Sequence, residues 1–494
     1  LTSNASGTNI NDVVLGNDVL NGNGLEIFIN NNNGSNLSFD SRLLSYFARL
    51  QYAYDGKYLF SAVIRRDGSS NFGPENKFGF FPTASAGWVA SEEDFLRDSD
   101  MISFLKLRAS YGIIGNDRIP GFRFVSILNG ESEYVFDNQL AQGLAIGPIA
   151  NPEIKWEQQI PLNFGVDVEL LNKVNITMDY FKKTTEDLLV SAQTSGIIGV
   201  AAPGSLVPVV NAGTVVNKGF EFSIGYKDDI SEDFRYNVNY NFTKLKNEVT
   251  FVGNQTGIIE GGSFGVGQEP PSRMEAGFPI GYFYGYQTNG LFQSQAEVNA
   301  HATQTNAAPG DLRFVDTNGD GIIDPDDRTY IGDPIADITM GLNLSFNYKR
   351  FDFNAYAFAS LGNEIVRNYE RNLPLTNRPA YYLDRWTGVG TSDSFPRVTT
   401  GATSNNLFSD FYVEDGSFLR LQSVQLGYSV GQNLLDRLEF DKVRFFVSAT
   451  NLFTISDYKG YDPTTSNGSP IGGGIDQGFY PSPKTFLLGI NVNF

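Results

Sequence analysis

Apolar and polar side chains alternate along many stretches of this chain. From Ile338 to Tyr348 every even position is apolar, and the odd positions carry Thr, Gly, Asn or Ser. The segments 234–243 and 174–180 follow the same period, with Phe, Tyr, Val, Ile and Met opposite Arg, Asn, Thr and Asp. Because successive side chains of a β-strand point to opposite faces, this period predicts strands with one apolar face and one polar face.

Segments with this alternation predict about 13 strands. Most of them run for about ten residues or more, which is the length that a tilted strand needs to cross a bilayer, whereas an average strand has about 5–6 residues. The length therefore favours a membrane barrel over a soluble sandwich. The predicted strands are 43–54, 57–66, 77–90, 102–114, 155–170, 173–184, 217–227, 233–245, 338–348, 351–361, 418–430, 442–451 and 484–494.

The connections between these strands alternate between short and long. Short turns are predicted at Asp55-Gly56, Leu171-Asn172, 228–232 and Lys349-Arg350. Tight turns at one rim and long loops at the other are typical of an outer-membrane barrel. We therefore predict an all-β fold, a transmembrane antiparallel β-barrel with short periplasmic turns and long extracellular loops. The long loops are 115–154, 185–216, 246–337, 362–417 and 452–483.

The beginning of the chain lacks a sustained period. Residues 1–42 include the Asn/Gly-rich stretch 21–36, and we predict that they form an extracellular loop before the first strand. Residues 43–494 are predicted to be part of one barrel domain. Bacterial barrels have even strand numbers, so an odd count that opens on an extracellular loop leads us to expect that the chain lacks the start of its barrel.

The last predicted strand ends in an aromatic residue. If the short turns are periplasmic, this strand brings the C-terminus to the periplasm. Phe494 continues the apolar face formed by Phe486, Leu488, Ile490 and Val492. A terminal aromatic on an outward face resembles the insertion signal that barrel-assembly machinery reads, and Phe494 is predicted to be that signal. The alternative is that Phe494 is only the last lipid-facing residue.

Composition narrows the classes of function. The 494 residues include 52 Gly, 40 Phe and 24 Tyr but no Cys, which excludes disulfides and thiolate metal sites. The formal net charge of −19 argues against a nucleic-acid partner, since phosphate binding needs a basic face. The sequence contains no run of about 18 apolar residues, so a transmembrane helix is not predicted. With His301 as the single His, no catalytic triad can readily be assembled, and we predict no enzymatic activity.

One loop motif predicts a metal site. The sequence DTNGDGIIDPDD, from Asp316 to Asp327, follows the D-x-N-x-D-G pattern of calcium loops. Its flanks contain prolines and β-type residues, so we expect a lone structural Ca²⁺ loop rather than a helix–loop–helix sensor; an acidic surface turn is the alternative. The predicted oxygen ligands are Asp316, Asn318, Asp320, Ile322 through its carbonyl, Asp324 and Asp327.

Aromatic residues cluster in two of the long loops. Rings in such loops could stack on sugars or peptide side chains, or contact a partner protein that covers the barrel. The alternatives are packing within the loops and membership of an interfacial aromatic girdle. These weak candidates for contact with a ligand or a partner are Tyr282, Phe283, Tyr284, Tyr286, Tyr381, Tyr382 and Trp386.

Stretches spread over nearly the whole chain carry a family resemblance. They include RRDGSSNFGPENKFGFFPTASAGWVASEEDFL at 65–96, LKLRASYGIIGND at 105–117, PGDLRFVDTNGDGIIDPDDRTYIGDP at 309–334 and YPSPKTFLLGINVNF at 480–494. The segments 151–189, 215–227 and 414–430 match as well. In this order and spacing they resemble the SusC/RagA family of TonB-dependent outer-membrane transporters of Bacteroidota.

The resemblance implies a barrel of roughly 22 strands with a folded plug inside. It implies a SusD-like lipoprotein that caps the extracellular mouth as a lid, and energy from TonB, which pulls on the plug. The cargo of such transporters is typically oligosaccharide or peptide, and two transporter–lid pairs commonly associate. Relative to this family pattern, we expect this chain to lack the plug and the TonB-interaction segment.

Two other functions remain open at the level of the sequence. A barrel of this kind can serve as a scaffold subunit of a larger outer-membrane secretion or assembly machine. The metal motif also allows a calcium-dependent surface adhesin. An upstream half with a plug would favour import, and co-purification with secretion or assembly components in the absence of cargo would favour the scaffold.

Overall fold

One antiparallel sheet of fourteen strands dominates the computed structural model of this chain. The structure describes residues 2–3, 12–14, 25–30, 34–40, 42–119, 121, 123–126, 128–146, 149–191, 208–265, 268–369, 377–438, 440–465 and 468–494. Thirteen strands of the sheet pair in chain order as a meander, and Ile114–Asn116 pairs beside them with the fifth. The thirteen are β1 (Leu43–Tyr54), β2 (Tyr58–Ser69), β3 (Phe78–Val89), β4 (Ile102–Gly112), β5 (Glu157–Leu170), β6 (Val174–Glu186), β7 (Gly213–Ser231), β8 (Phe234–Val252), β9 (Ile338–Tyr348), β10 (Phe351–Leu361), β11 (Phe418–Ser429), β12 (Lys442–Ser456) and β13 (Thr485–Asn493).

The predicted all-β fold and each of its thirteen strands are confirmed. Most bounds agree within a few residues, but β7 and β8 are each nineteen residues long and exceed the prediction. The two strands remain paired as far as Gly213, which lies opposite Val252. The pairing extends this far because both segments stay extended beyond the residues that alternate between apolar and polar. Within the described residues β1 and β13 each pair on one side only, so the sheet is open at both edges.

The two ends of the sheet differ in how the strands are joined. Short turns connect β1 to β2, β5 to β6, β7 to β8 and β9 to β10, and we name this rim the short-turn end. Asp55 and Gly56 both have positive φ, at 53° and 67°, as do Leu171 and Asn172, at 54° and 56°. Positive φ at both central residues defines the type I′ turn, whose twist suits adjacent antiparallel strands. The opposite rim is named the long-loop end.

The register places the apolar side chains of neighbouring strands on one face. Tyr236 lies opposite Phe346, which lies opposite Phe353, while Asn239 pairs with Asn343 on the other face. On β13 the outward Leu488 is 82% exposed. The polar face carries charges that pair across strands. Arg108 of β4 donates to Asp167 of β5 at 3.0 Å and to Asp179 of β6 at 2.5 Å.

A belt of aromatic rings follows the short-turn end on the apolar face. The ring centroids of Tyr226 and Tyr236 are 5.5 Å apart, and those of Phe351 and Tyr428 are 4.9 Å apart. Aromatic residues at this level are typical of the interface between lipid and water, where an apolar ring body and a polar tip are both accommodated. The further pairs of the belt are Tyr54 with Tyr58, Phe234 with Tyr236 and Phe234 with Tyr348.

The connections at the long-loop end contain secondary structure of their own. Ile258–Gly261, Ser272–Glu275, Tyr282–Gly285 and Thr329–Gly332 form a four-stranded sheet, and Thr288–Leu291 pairs with Leu312–Phe314. Glu364–Arg367 lies between Val413–Asp415 and Ile475–Asp476. Two hairpins are formed by Leu128–Phe136 with Gln139–Ile146 and by Leu189–Ser191 with Val209–Asn211.

Helices are few and short in the described part of the chain. The α-helices are α1 (Gln295–Ala300) and α2 (Gln432–Leu438), and the 3₁₀ turns are Ala90–Glu92, Pro325–Asp327, Ala380–Asp384 and Asp410–Tyr412. Ser294 caps α1 by accepting the N–H of Glu297. Among the helices in the described ranges, none has the length and apolar character that a membrane span needs.

The segment before β1 differs from the expected irregular loop. Its described parts are Thr2–Ser3, Asp12–Val14, Leu25–Asn30 and Gly34–Asp40, which form a separate four-stranded sheet. The stretch 25–30 reads LEIFIN, and its β-branched and aromatic residues favour a strand although the surrounding Asn and Gly favour turns. The alternation over this segment is too short to predict a strand from sequence.

Buried apolar side chains concentrate in the loops, whereas those of the strands are largely exposed. One cluster of buried residues contains Phe72, Phe124 and Trp156, and a second contains Val249, Met274 and Ile471. Two more surround Phe283 and Phe314. The long-loop end is therefore packed like the interior of a soluble protein, and the outer face of the sheet is left to an apolar surrounding.

Candidate functional site at the long-loop end

A buried carboxylate joins the two longest loops. Asp311 is fully buried and accepts hydrogen bonds from Arg397 Nε at 2.7 Å and Arg397 Nη2 at 2.9 Å. It also accepts from Asn405 Nδ2 at 2.9 Å and from the backbone N–H of Ala308 at 2.9 Å. The hydrogen bonds to Asp311 raise the pKa of Arg397. Asp311 lies in the loop 246–337 and Arg397 in the loop 362–417, so one bidentate pair fixes their relative position.

Three aromatic rings stack beside the four-stranded loop sheet. The centroid of Tyr282 lies 4.6 Å from that of Phe278 and 5.7 Å from that of Tyr330. Tyr282 is 1% exposed, while Phe278 and Tyr330 keep 36% and 38% of their surface. The hydroxyls donate to Glu275 at 2.5 Å and to Asp333 at 2.6 Å. Burial, followed by these hydrogen bonds, raises the pKa of both tyrosines.

The first group of predicted contact aromatics falls into this packed region. Phe283 is fully buried and Tyr286 nearly so, in addition to Tyr282. Tyr284 is half-buried, with the guanidinium of Arg273 3.6 Å from its ring centroid and that of Arg328 at 5.2 Å. In this structure Tyr284 alone of the four keeps accessible surface for a ligand or partner, and the other three pack within the loops.

The second group surrounds a buried cation. Arg367 is 2% exposed, pairs with Glu414 at 2.5 Å and lies 5.1 Å from the ring centroid of Tyr381. Tyr381, Tyr382 and Trp386 are each half-buried, so contact with a ligand or partner stays a prediction for them. Trp386 covers Gly310 so closely that a Cβ at this position would collide with the ring.

Two further carboxyls lie at the rim above β9 and β10. The N–H of Asp333 donates to Glu364 Oε2 at 2.9 Å, and the N–H of Glu364 donates to the carbonyl of Asp333 at 2.8 Å. Burial raises the pKa of both carboxyls, and the negative charge of Asp337 raises it further. No local sequence pattern marks Asp311, Asp333 or Glu364, because each is hydrogen-bonded to a partner that is distant in the chain.

The predicted cation loop is well ordered by its own hydrogen bonds. Asp316 accepts the N–H groups of Gly319 at 2.7 Å and Gly321 at 2.9 Å, and both glycines have positive φ. The fully buried Asp327 accepts the N–H groups of Thr317 at 2.7 Å and Asp324 at 3.0 Å. Burial opposes ionisation of Asp327, but the backbone N–H groups outweigh it and hold its pKa below the usual range.

The donor set of this loop consists of hard oxygens, which fits Ca²⁺, and each carboxylate oxygen bonded to an N–H keeps a second lone pair. The side chains of Asp316, Asn318, Asp320 and Asp324 accept backbone N–H groups within the loop. Across the described ranges, no group of three or more acidic or His side chains is already gathered as metal ligands. To bind Ca²⁺, these side chains would therefore have to rotate toward a common point inside the loop.

The remaining predicted residues lie at the margins of the site. His301 Nε2 is 2.8 Å from the carbonyl oxygen of Phe314, and its ring packs edge-on against Phe292. His301 is thus a structural residue beside α1. Phe494 follows β13 and is 92% exposed. Its exposure leaves it accessible, and its role as an insertion signal stays a prediction.

The chain is similar to known proteins over most of its length. A family model described as "TonB dependent receptor-like, beta-barrel" matches residues 3–357. TonB-dependent receptor P3 of Formosa agariphila is 34% identical over 467 residues, and TonB-dependent receptor SusC of Bacteroides thetaiotaomicron is 32% identical over 465 residues. Each alignment covers 92% of this chain, but 46% and 44% of the relatives, so the chain spans about half their length.

A solved structure shows the same fold. The "Structure of the RagAB peptide transporter" matches with a TM-score of 0.76 and 23% identity, over 92% of this chain and 49% of that chain. The match supports the barrel architecture of the thirteen-stranded meander. Since the family model covers well over half of the residues, this chain belongs to the TonB-dependent receptor β-barrel family and is SusC/RagA-like.

Proposed function

We propose that this chain is the C-terminal barrel part of an active importer in the outer membrane of a Gram-negative bacterium of the Bacteroidota, with its C-terminus in the periplasm. The observation that carries the proposal is the thirteen-stranded meander with an apolar outer face and a polar inner face, in a chain of the TonB-dependent receptor family. Further strands of a longer protein would close the sheet, since unpaired edge groups in lipid cost several kcal/mol each.

The packing of the long-loop end supports the proposal that a partner protein binds there on the extracellular side. Its loops are packed and cross-linked by Asp311 and Arg367, so they offer a stable platform rather than flexible tethers. We propose that a SusD-like lipoprotein rests on this platform as a lid, that two transporter–lid pairs associate, and that TonB acts on a plug in the rest of the protein. The proposed cargo is an oligosaccharide or a peptide, and the second of these agrees with the similarity to the RagAB peptide transporter.

Uptake by cells tests the import function. Cells that express the full-length protein and its neighbouring lipoprotein are supplied with labelled oligosaccharide mixtures in one arm and labelled peptide mixtures in the other. We expect one class to accumulate in the periplasm, and accumulation to stop when TonB is deleted. Absence of uptake of both classes, with stable co-purification of secretion or assembly components, would favour the scaffold function instead.

We also propose that residues 316–327 bind a structural Ca²⁺. The oxygen donors of Asp316 and Asp320 would contribute to the site, and the ion would offset the repulsion of the clustered carboxylates.

Asp316→Ala combined with Asp320→Ala removes two donors, while Asp326→Ala removes an exposed carboxylate outside the proposed ligand set. Limited proteolysis with added Ca²⁺ or with chelator should show calcium-dependent protection of this loop in the wild type and in Asp326→Ala, but not in the double variant. Equal cleavage of the wild type under both conditions would refute the site.

A further inference from the structure

A row of lysines crosses the apolar face of the sheet near the long-loop end. Lys182 of β6 lies directly opposite Lys218 of β7, which lies directly opposite Lys246 of β8. Lys244 lies two residues along β8, opposite Phe220. Because the side-chain period of a strand is two, these lysines share the face of Tyr180 and Phe220 and point away from the polar interior.

The row places like charges side by side. Directly opposite residues have Cβ atoms about 4.5–5.5 Å apart, and like charges at this separation destabilise a sheet. Lys246 pairs with Glu248 at 3.2 Å. For Lys182, Lys218 and Lys244, no ion pair or hydrogen bond of the side chain is present within the part of the chain that the structure describes. An anion from outside the protein would remove this repulsion.

The neighbouring strands confine the positive patch to β6, β7 and β8. On one side Leu162 of β5 lies opposite Lys182, and on the other Ile338 of β9 lies opposite Lys244. One register step toward the loops, Thr184 lies opposite Val216, which lies opposite Glu248, so the next row contains no further cation and ends at the carboxylate that pairs with Lys246. The chain carries a net charge of −19, so three neighbouring lysines on its apolar face contrast with its overall acidic composition.

The position of the lysine row along the strands matches the edge of the hydrocarbon layer of a bilayer. On β7 the belt residue Tyr226 lies eight residues from Lys218, with Phe220, Phe222 and Ile224 as the outward residues between them. Eight residues span about 27 Å along a strand, or about 20 Å across a bilayer at a tilt of about 40°. A lysine stem that extends toward water adds about 6 Å, which brings the ammonium groups to the boundary of an apolar band about 25 Å tall.

We propose that Lys182, Lys218 and Lys246 form a binding site for the phosphate of an anionic lipid in the outer leaflet. The inference rests on the proposed membrane location. Each ammonium group offers three donors and a compact charge, and a phosphate offers several acceptor oxygens that can bridge neighbouring lysines. The acyl chains of the same lipid would lie along Tyr180, Phe220 and Phe222, so that one molecule satisfies both the charged row and the apolar surface below it.

Lipid binding to the full-length protein in detergent tests the site. Native mass spectrometry measures the titration of the protein with diphosphorylated lipid A, with dephosphorylated lipid A and with inorganic phosphate. The wild type should bind the phosphorylated lipid preferentially. The triple variant Lys182→Gln, Lys218→Gln, Lys246→Gln should bind it at least about ten-fold more weakly, because three ammonium contacts are lost. The variant with Arg at the three positions should keep binding and thereby show that charge, rather than folding, is responsible.

A matched control removes three lysines from the opposite face. Lys106, Lys183 and Lys227 lie at positions of the polar face by the same register, and their triple Gln variant should bind the lipid as the wild type does. Equal loss in this control, unchanged binding in the outer-face variant, or equal competition by inorganic phosphate would overturn the lipid site. In each of these cases a protein that still imports cargo would leave the proposed function intact, whereas a protein absent from the membrane would remove both.

Discussion

Single buried charges determine how the loops of this protein are held together. Asp311 lies in an irregular segment and Arg367 ends the short loop strand Glu364–Arg367, and each is buried against a partner from a distant part of the chain. Such residues could not be predicted from the sequence, since an Asp in a loop is ordinarily solvated and its partner is 86 positions away. The calcium motif was visible because its predicted ligands are spaced locally in the sequence, and calcium binding stays a proposal.

The Asp311 pair predicts a local effect of mutation. Arg397→Met leaves a buried carboxylate without its strongest donor and should destabilise the packed loops by about 2 kcal/mol. Hydrogen exchange of the full-length protein should then rise in both loops around residues 305–315 and 396–405, with the barrel strands unchanged. Arg313→Met is the control, because Arg313 donates to the carbonyl of Asn289 rather than to a carboxylate. Unchanged exchange in Arg397→Met would show that the pair does not hold the loops.

A second residue couples the short-turn end to pH. Glu93 accepts hydrogen bonds from Tyr58 Oη at 2.7 Å, Lys57 Nζ at 3.0 Å and Trp88 Nε1 at 3.1 Å. These donors, Tyr58 foremost, lower the pKa of Glu93 from 4.5 to about 2. A carboxyl with a depressed pKa contributes stability above its ordinary pKa and loses it as the pH falls toward the folded value.

The free energy of unfolding of the wild type should therefore exceed that of Glu93→Gln at neutral pH. The difference should shrink as the pH falls from 4.5 toward about 2, the window set by the ordinary and the folded pKa. Urea unfolding of the full-length protein in lipid vesicles at a series of pH values measures it. Glu92→Gln changes the exposed neighbour and should show no such trend. A difference that stays constant with pH would contradict the assigned role of Glu93.

At the scale of elements, the alternation of apolar and polar residues was sufficient to predict the whole meander. It worked because lipid on one face and a polar interior on the other impose the same period on every strand. It missed the ends of β7 and β8, which continue past the predicted bounds, and the short strands inside the loops. In those segments tertiary packing decides the conformation rather than local pattern.

The two type I′ turns predict opposite effects of mutation. A Cβ at Gly56 meets no atom within 4 Å, so Gly56→Ala should cost only the backbone strain of positive φ, about 1 kcal/mol. Leu171 has φ 54° and is 57% exposed, so it bears this strain without a packing gain. Leu171→Asn should stabilise the protein by about 0.5–1 kcal/mol, because Asn tolerates the left-handed region. Urea unfolding midpoints measure both changes, and a shift in the same direction would contradict the turn assignment.

At the scale of the whole molecule, the sheet strands and the long loops distribute their apolar residues in opposite ways. The strands expose Phe, Tyr and Leu on their outer face, while the loops bury theirs in clusters. The strands are thus suited to lipid and the loops to water. A continuous interior lined by charged and polar side chains, such as Arg108 with Asp167 and Asp179, suits a water-filled or protein-filled lumen.

This reversal predicts that adjacent positions on one strand respond differently to charge. Leu342 lies near the middle of β9 on the outer face, opposite Tyr240 and Ala357, whereas Asn343 points to the polar interior opposite Asn239. In the full-length protein reconstituted in lipid, Leu342→Arg should destabilise by about 2–4 kcal/mol, the cost of a cation near the bilayer midplane, and Asn343→Arg by much less. Urea unfolding in vesicles gives both values. Equal costs for the two substitutions would mean that lipid does not cover the outer face, and the importer proposal would lose its physical basis.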